Sequence, residues 1–432
     1  MSAGVISPTQ LLAYALPALP FAVAALPVYV HVPKFYGDTL GIDLAAVGAI
    51  LLALRLLDAI SDPLIGAWSD RNGHRPRLIG WAIPLLAIGV VALLNPPALP
   101  PGSAVLWLAA SAAITYAGYS LAMINHQAMG AELSTDPHQR TRITGVREAL
   151  SLLGVMIASI VPALFADARD GLRALSWTFA GLLLASSLLF ALRAPRAAAL
   201  SALPARDIVA SLAAALGVSA FRRLLCVYAL SGIAVAIPAT LVLFYVKDVI
   251  GDEASQGWFL GAYFAAGALG MPLWIAASRR LGKVTAWVLA MLLAIASFAW
   301  AWRLGIGDTM PFLIICALSG LAAAADLALP PSMLADAIDT GPPDVGTGAY
   351  FGVWTFVTKL NLALAAGIAL PLLQWLDYRP GAPTVQGAAI LAAVYAGLPC
   401  VLKLLAAVLA WTILPTGDAR LRSPVDRATA SS

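Results

Sequence analysis

The chain has 432 residues, of which 61% are hydrophobic and only 11% charged, with a formal net charge of +4. A soluble domain carries roughly a quarter of its residues as charges, so a soluble enzyme or scaffold is excluded and the class is a polytopic membrane protein. The small basic excess sits in short clusters between apolar runs, which points to loops at a membrane surface and away from a nucleic-acid partner.

Hydropathy predicts an all-α membrane protein of twelve transmembrane helices. The first ten residues carry no Lys or Arg, so no signal peptide is expected. The first span is 10–33. The second, 44–68, reads as a membrane helix interrupted by Arg55, Asp58, Ser61 and Asp62. An ionised group near the bilayer centre costs about 2.5–3.5 kcal/mol on insertion scales, so two acids in one span indicate function. Arg55, Asp58 and Asp62 share one helix face, and the oxygens of the two carboxylates suit a hard cation or a proton. An ion pair with Arg55 or Lys359 is the alternative reading.

The third span is 78–97. The fourth, 104–132, holds Ser120 and the polar run Asn125, His126, Gln127, which point around the helix and cannot all face one pocket. The fifth, 144–166, has Arg147 near its start, and the sixth is 173–193. Residues 194–216, bearing Arg, Ala and Pro, form a cytoplasmic linker between two six-helix bundles, 1–193 and 217–414. The second bundle contributes spans 217–246, 257–278, 284–304, 311–337, 349–376 and 386–414, with Asp326 and Asp336 in the tenth and Lys359 in the eleventh. Residues 415–432 read as a cytoplasmic tail. Cys226, Cys316 and Cys400 all lie in apolar runs without metal or disulfide spacing.

Basic clusters at Arg71, Arg75 and Arg77, at Arg140, Arg142 and Arg147, at Arg193, Arg196 and Arg206, at Arg279, Arg280 and Lys283, and in the tail (Arg420, Arg422, Arg427) fall on one side. The other side has only a scatter that includes Lys34 and Arg379. Both termini are therefore expected to be cytoplasmic, in a cytoplasmic (inner) membrane. The halves repeat each other. Phe35-Tyr-Gly-Asp38-Thr-Leu-Gly41 recurs as Phe244-Tyr-Val-Lys-Asp248-Val-Ile-Gly251, and Pro63 to Gly73 matches Pro272 to Gly282 in spacing. This is a parallel repeat of the kind found in major facilitator transporters. In its register Asp58 and Asp62 correspond to Gly267 and Met271, so the acids are not needed to build the fold.

Gly66-x-x-x-Asp70-Arg71-x-Gly73-His74-Arg75 resembles the loop motif of the major facilitator superfamily. Arg55-x-x-Asp58-Ala-Ile-Ser61-Asp62-Pro63 is sharper and resembles the glycoside–pentoside–hexuronide:cation symporter family, in its melibiose permease-like form. Gly130-Ala-Glu-Leu-Ser-Thr-Asp136, Phe221-Arg-Arg-Leu-Leu, Met333-Leu-Ala-Asp336-Ala-Ile-Asp339 and Trp354-x-x-x-x-Lys359 extend the resemblance along nearly the whole chain. It implies a cation-coupled symporter of a sugar, glycoside or sugar acid, working by alternating access as a monomer in the bilayer. Its partners are the solute and a monovalent cation. Sodium or a proton is the coupling ion, and no other cofactor is implied. Asp58 and Asp62 match the family's paired cation acids, and they are the metal ligands if sodium is used. Ser61 falls beside them, and Ser120 falls near a hydroxyl that helps bind sodium. Arg147 matches a sugar-contacting arginine, and Lys359 a lysine close to the cation site.

The chain also departs from the family. Ala22 and Met123 stand where the melibiose branch has acids, Asn125-His126-Gln127 replaces a Pro-aromatic stretch, and Asp326 is an added acid. Arg147, Asn125, His126, Gln127, Lys359 and Asp326 are thus the expected solute contacts. Donors outweigh acceptors among them, which favours a carboxylate-bearing solute. Arg71, Arg75, Asp336 and Asp339 are expected to gate the cytoplasmic side, the two acids opposing basic loops of the first half. Proton-driven export of an amphiphile and a non-transporting sensor on the same fold are the rival readings. No nucleophile–base set, metal cluster or phosphate loop occurs in the sequence, so no enzymatic activity is expected.

Overall fold

A computed structural model describes residues 6–72, 74–195, 207–378 and 384–415. Gly73 of the loop motif, Arg196 and Arg206 of the linker, Arg379, and the tail from 416 onward with Arg420, Arg422 and Arg427 lie outside the described residues.

Every regular element among the described residues is helical. In chain order these are α1 (Pro8–Ala15), α2 (Ala18–Lys34), α3 (Leu44–Asn72), α4 (Arg75–Leu94), α5 (Pro101–Glu132), α6 (Pro137–Ala163), α7 (Ala168–Arg193) and α8 (Ile208–Gly217). They are followed by α9 (Ser219–Tyr245), α10 (Gln256–Leu281), α11 (Lys283–Phe298), α12 (Thr309–Ile338), α13 (Thr347–Trp375), α14 (Val385–Ala392) and α15 (Leu398–Ile413). Helices satisfy their own backbone groups, which hydrocarbon requires of a spanning segment. Among the described residues, eleven helical stretches are long and apolar enough to cross a membrane. The 29-residue α3, with its three central charges, is a further long helix and completes the expected twelve. The chain is a multi-pass membrane protein.

Two boundaries differ from expectation. Arg140 and Arg142, expected in a loop, lie in the first turns of α6, because the Asp136 carboxylate accepts from His138 N at 3.1 Å and Pro137 opens the helix. The expected linker is helical over α8, which packs on α3.

The chain divides into two compact units, Met1–Val218 with Ile338–Phe356, and Ser219–Ala337 with Val357–Ser432. In each unit the repeated Phe-Tyr sequence packs alike. The first unit has a π-helical turn at Phe35–Thr39, where the Tyr36 hydroxyl donates to Leu93 O. The second has one at Val246–Ile250, preceded by Tyr245, whose hydroxyl donates to Ala301 O. Aromatic cores surround both tyrosines: Phe21, Phe35 and Phe179 in the first unit, Phe259, Phe312 and Tyr395 in the second.

Candidate functional site

Helix α3 is two-faced. Leu56, Leu57, Ile60 and Leu64 are exposed, whereas Asp58 (5% exposed), Asp62 (0%), Gly66 and Asp70 are buried. The four buried positions recur every fourth residue and so form one stripe along the helix. Pro63 interrupts the helix's hydrogen-bond ladder beside Asp62, which membrane helices tolerate where neighbours pack closely.

At the upper part of the stripe, Ser120 Oγ of α5 donates to Asp58 Oδ1 at 2.6 Å. Both groups are nearly inaccessible. Ser61 is half-buried and its hydroxyl donates to the Asp58 carbonyl at 3.0 Å, so it supports the helix turn that carries the acid. Ser120 is thus brought onto Asp58 from the adjacent helix, and Ser61 and Asp62 lie within about one turn of Asp58 on α3. Their carboxylate and hydroxyl oxygens make a hard-ligand set suited to a small monovalent cation or a proton.

Below them α3 crosses the first turns of α13 backbone to backbone. A Cβ on Gly352 would stand 2.6 Å from Asp62 O and 2.8 Å from Pro63 Cα. Gly66 and Gly348 face each other at the same crossing, and neither has room for a side chain. The stripe ends at Asp70, whose carboxylate accepts from Gly348 N and Ala349 N, each at 2.8 Å, and so caps the α13 N-terminus. Arg75 pairs with Asp70 and also donates to Glu132 Oε1 (3.2 and 3.1 Å), Ser69 Oγ (2.7 Å) and Asn125 Oδ1 (3.3 Å). Arg71 is exposed. Arg140 grips Asp339 through two bonds of 2.6 and 3.0 Å.

Several expected partnerships come out differently. Asp336, expected opposite the first half's basic loops, bonds Lys283 Nζ of its own half at 2.7 Å, and Ser332 Oγ lies 2.6 Å from the same ammonium. Asn125 is fully buried, bonding Arg75 and Leu121 O, so it belongs to the clamp on α13 and does not open onto a cavity. His126 is fully buried as well. Its ring stacks on Tyr14 (centroids 4.6 Å apart), and Nε2 lies 2.7 Å from Tyr14 O. As arranged here it is a packing histidine. Gln127 is half-buried, and its carbonyl oxygen has no hydrogen-bond partner among the described residues. Arg147 is buried and forked onto Glu148 Oε1 (3.0 and 2.6 Å), so its charge is already met by an acid that sequence reasoning left out. Lys359 is half-buried on α13, in the second unit, whereas Asp58 and Asp62 are in the first. Asp326 accepts from Lys403 Nζ (2.6 Å), Trp287 Nε1 (2.8 Å) and Ser231 Oγ (3.1 Å), all within the second unit.

Among the residues missed, Asp70 and Glu132 had a signal: each lies in a motif that carries the family resemblance, and each falls at a helix end near basic residues. Lys403 had a weaker one, a lone lysine in an apolar run.

The sequence model of the MFS/sugar transport protein family matches residues 13–415. The inner membrane symporter YicJ of Escherichia coli is 32% identical over 143 residues, 31% of this chain and 30% of that protein. The isoprimeverose transporter of Lactiplantibacillus pentosus is 29% identical over 136 residues, 29% of this chain and 27% of that protein. The aligned part thus spans about a third of the length of the curated relatives it matches. Among solved structures, the E. coli fucose:proton symporter FucP superposes with a TM-score of 0.68 at 13% identity, covering 96% of this chain and 98% of that one. A bacterial homologue of the iron transporter ferroportin in its outward-facing state gives 0.68 at 17% identity, over 93% and 98%. At these identities the likeness shows the fold alone, a twelve-helix major facilitator fold.

Proposed function

Since the chain belongs to the MFS/sugar transport protein family, we propose that it is a cation-coupled symporter of a small polar solute, working by alternating access in the cytoplasmic membrane with both termini inside. The observation that carries the coupling is the stripe on α3. Two buried acids, Asp58 and Asp62, sit directly above the glycine crossing with α13, and the same stripe ends in the Asp70 cap. A cation at the acids, with Ser120 and Ser61 as neutral oxygen ligands, neutralises charge beside that crossing. It thereby favours one arrangement of α3 against α13. Solute that prefers the same arrangement binds more tightly, and the cation gains by the same factor. Sodium and the proton are both candidates for this ion.

In this reading Arg75, with Asp70 and Glu132, clamps the start of α13, and the Arg140–Asp339 fork closes the neighbouring end of α12. Breaking and remaking these pairs opens and closes the cytoplasmic side. Lys283–Asp336 is the counterpart inside the second half. Gln127, Arg147 and Lys359 are the proposed solute-facing groups, with Arg147 acting once solute displaces Glu148 from its guanidinium.

The test is uptake by proteoliposomes of a panel of glycosides, free sugars and sugar acids, with sodium and pH gradients imposed separately. Accumulation of one solute class under one inward gradient is expected. Extrusion of amphiphiles under a proton gradient, with no sugar accumulated under either gradient, would replace this reading with that of an exporter.

A further inference from the structure

The first membrane span is broken. α1 stops at Ala15 and α2 starts at Ala18. Pro17 has no N–H to give, so the ladder of hydrogen bonds cannot pass, and Leu19 N turns back to Leu16 O at 3.1 Å. Tyr14 and Ala15, at the break, are fully buried. Carbonyls at a buried helix end need substitute partners. Tyr14 O finds one on another helix: His126 Nε2 of α5 lies 2.7 Å away. A carbonyl only accepts, so Nε2 carries the ring proton and donates it.

Tyr14 returns the bond. Its hydroxyl donates to His126 O at 2.8 Å, and the two rings stack. Each residue thus holds the other's backbone through its own side chain, and neither ring can swing away without losing a bond. The tip of the phenol rests on Gly130, one turn further along α5, where a Cβ would stand 2.0 Å from the hydroxyl oxygen. Phe21 and Phe190 close on the imidazole edge-on.

What this socket holds is Arg147. Its guanidinium, on α6, is a hydrogen-bonding neighbour of the Tyr14 hydroxyl. The one phenol proton goes to His126 O, so the oxygen is left to accept from Arg147. Glu148 takes only one edge of the fork, where Oε1 accepts from Nε and Nη2. A partner on the neighbouring residue of the same helix does not fix where a long arginine side chain points. A phenol locked between α1 and α5 does.

We propose that Tyr14 and His126 are positioning residues for Arg147. His126 locks the phenol at the break in the first span, and the phenol aims the guanidinium at the solute. The inference rests on the reading of Arg147 as a solute contact in a symporter. A leucine in place of His126 would fill the same apolar surroundings, but it would leave Tyr14 O unmet and the phenol free to turn.

The test is the kinetics of accumulation in proteoliposomes, for the solute that the wild type takes up from the panel above. Tyr14→Phe keeps the ring and its stack and removes only the hydroxyl. It should raise KM about tenfold and leave kcat within about twofold, because solute binding is weakened and the rocking step is not. Arg147→Gln should raise KM at least as far. In the Arg147→Gln background Tyr14→Phe should add nothing, as expected of residues that act through one another. His126→Leu should reproduce Tyr14→Phe. His126→Gln, whose amide N–H can reach the same carbonyl, should return KM to within about threefold of wild type. Where Arg147→Gln does not fold, Arg147→Gln/Glu148→Gln, which leaves no charge buried alone, takes its place.

A merely structural contact would lower thermal stability in both backgrounds and leave KM where it was. Unchanged KM in Tyr14→Phe, or effects of Tyr14→Phe and Arg147→Gln that multiply in the double variant, overturn the proposal and leave symport standing. Unchanged KM in Arg147→Gln overturns it too, since nothing then remains to be positioned. No accumulation by the wild type under either gradient removes the symport reading, and this inference with it.

Discussion

The two halves share a scaffold and differ in where they bury charge. Tyr36 and Tyr245 donate to backbone carbonyls at Leu93 and Ala301, each beside a π-helical turn. Each half also pairs charges at matching helix ends. Arg75 at the start of α4 meets Glu132 at the end of α5, and Lys283 at the start of α11 meets Asp336 near the end of α12. The deep acids do not repeat. In the first half they lie on α3, and a neutral hydroxyl, Ser120, bonds Asp58. In the second half Gly267 and Met271 occupy those places, while the deep acid, Asp326, is on α12 with its own ammonium. Repeated features therefore report packing, whereas the unrepeated charges on α3 are the ones on which the proposed coupling rests. The deep acid of the second half is bonded by a lysine of that half.

The largest expected effect breaks the first half's side of this comparison. Asp58→Asn and Asp62→Asn should each abolish gradient-driven accumulation while solute still equilibrates across the membrane, measured as net uptake and as exchange in proteoliposomes. Accumulation surviving in both would show that the α3 acids are not the coupling site.

Next come the clamps. Arg75→Gln leaves two buried acids, Asp70 and Glu132, without their cation and should cost about 3–5 kcal/mol of stability, the usual penalty for breaking a buried pair from one side. Lys283→Gln strips the cation from Asp336 alone and should cost less, about 1–3 kcal/mol. Thermal unfolding of the two variants in one detergent gives the order directly.

Gly352→Ala tests the α3–α13 crossing. Its Cβ meets backbone and not a movable side chain, so a loss of about 1–3 kcal/mol in stability is expected, with a lower rate of coupled uptake. Unchanged stability and uptake would remove the crossing from the coupling argument. The smallest effects sharpen the symmetry: Tyr36→Phe and Tyr245→Phe each delete one hydrogen bond to a carbonyl and should lower stability by about 1 kcal/mol, equally within error.

Much of this was legible in the sequence because the bilayer makes burial visible as composition. A run of some twenty apolar residues must span, and Asp58 and Asp62 stand out against their run. The same contrast exposed Asp326. What the sequence could not assign was the partner. Arg147 and Glu148 are adjacent on α6 and start out about 100° apart around it, so their pairing depends on the long Arg147 side chain reaching round to Glu148 Oε1, which the sequence does not reveal. Asn125 and His126 read as cavity groups because polar residues in a span suggest solute contact. The first instead completes the Arg75 clamp across 50 residues, and the second stacks on Tyr14 across 112. Asp336 was expected opposite the basic loops of the first half, and it instead bonds Lys283 of its own half, as Glu132 bonds Arg75 in the first.

The central claim is that a cation held at Asp58 and Asp62 is thermodynamically linked to solute. The direct measurement is equilibrium binding of the transported solute to purified protein, with and without the coupling ion, in wild type and Asp62→Asn. The account predicts that the ion tightens solute binding about 5–150-fold in wild type, the span typical of coupled sites. In Asp62→Asn the ratio should fall to one, with the solute still bound. An ion effect on affinity that persists undiminished in Asp62→Asn contradicts the account.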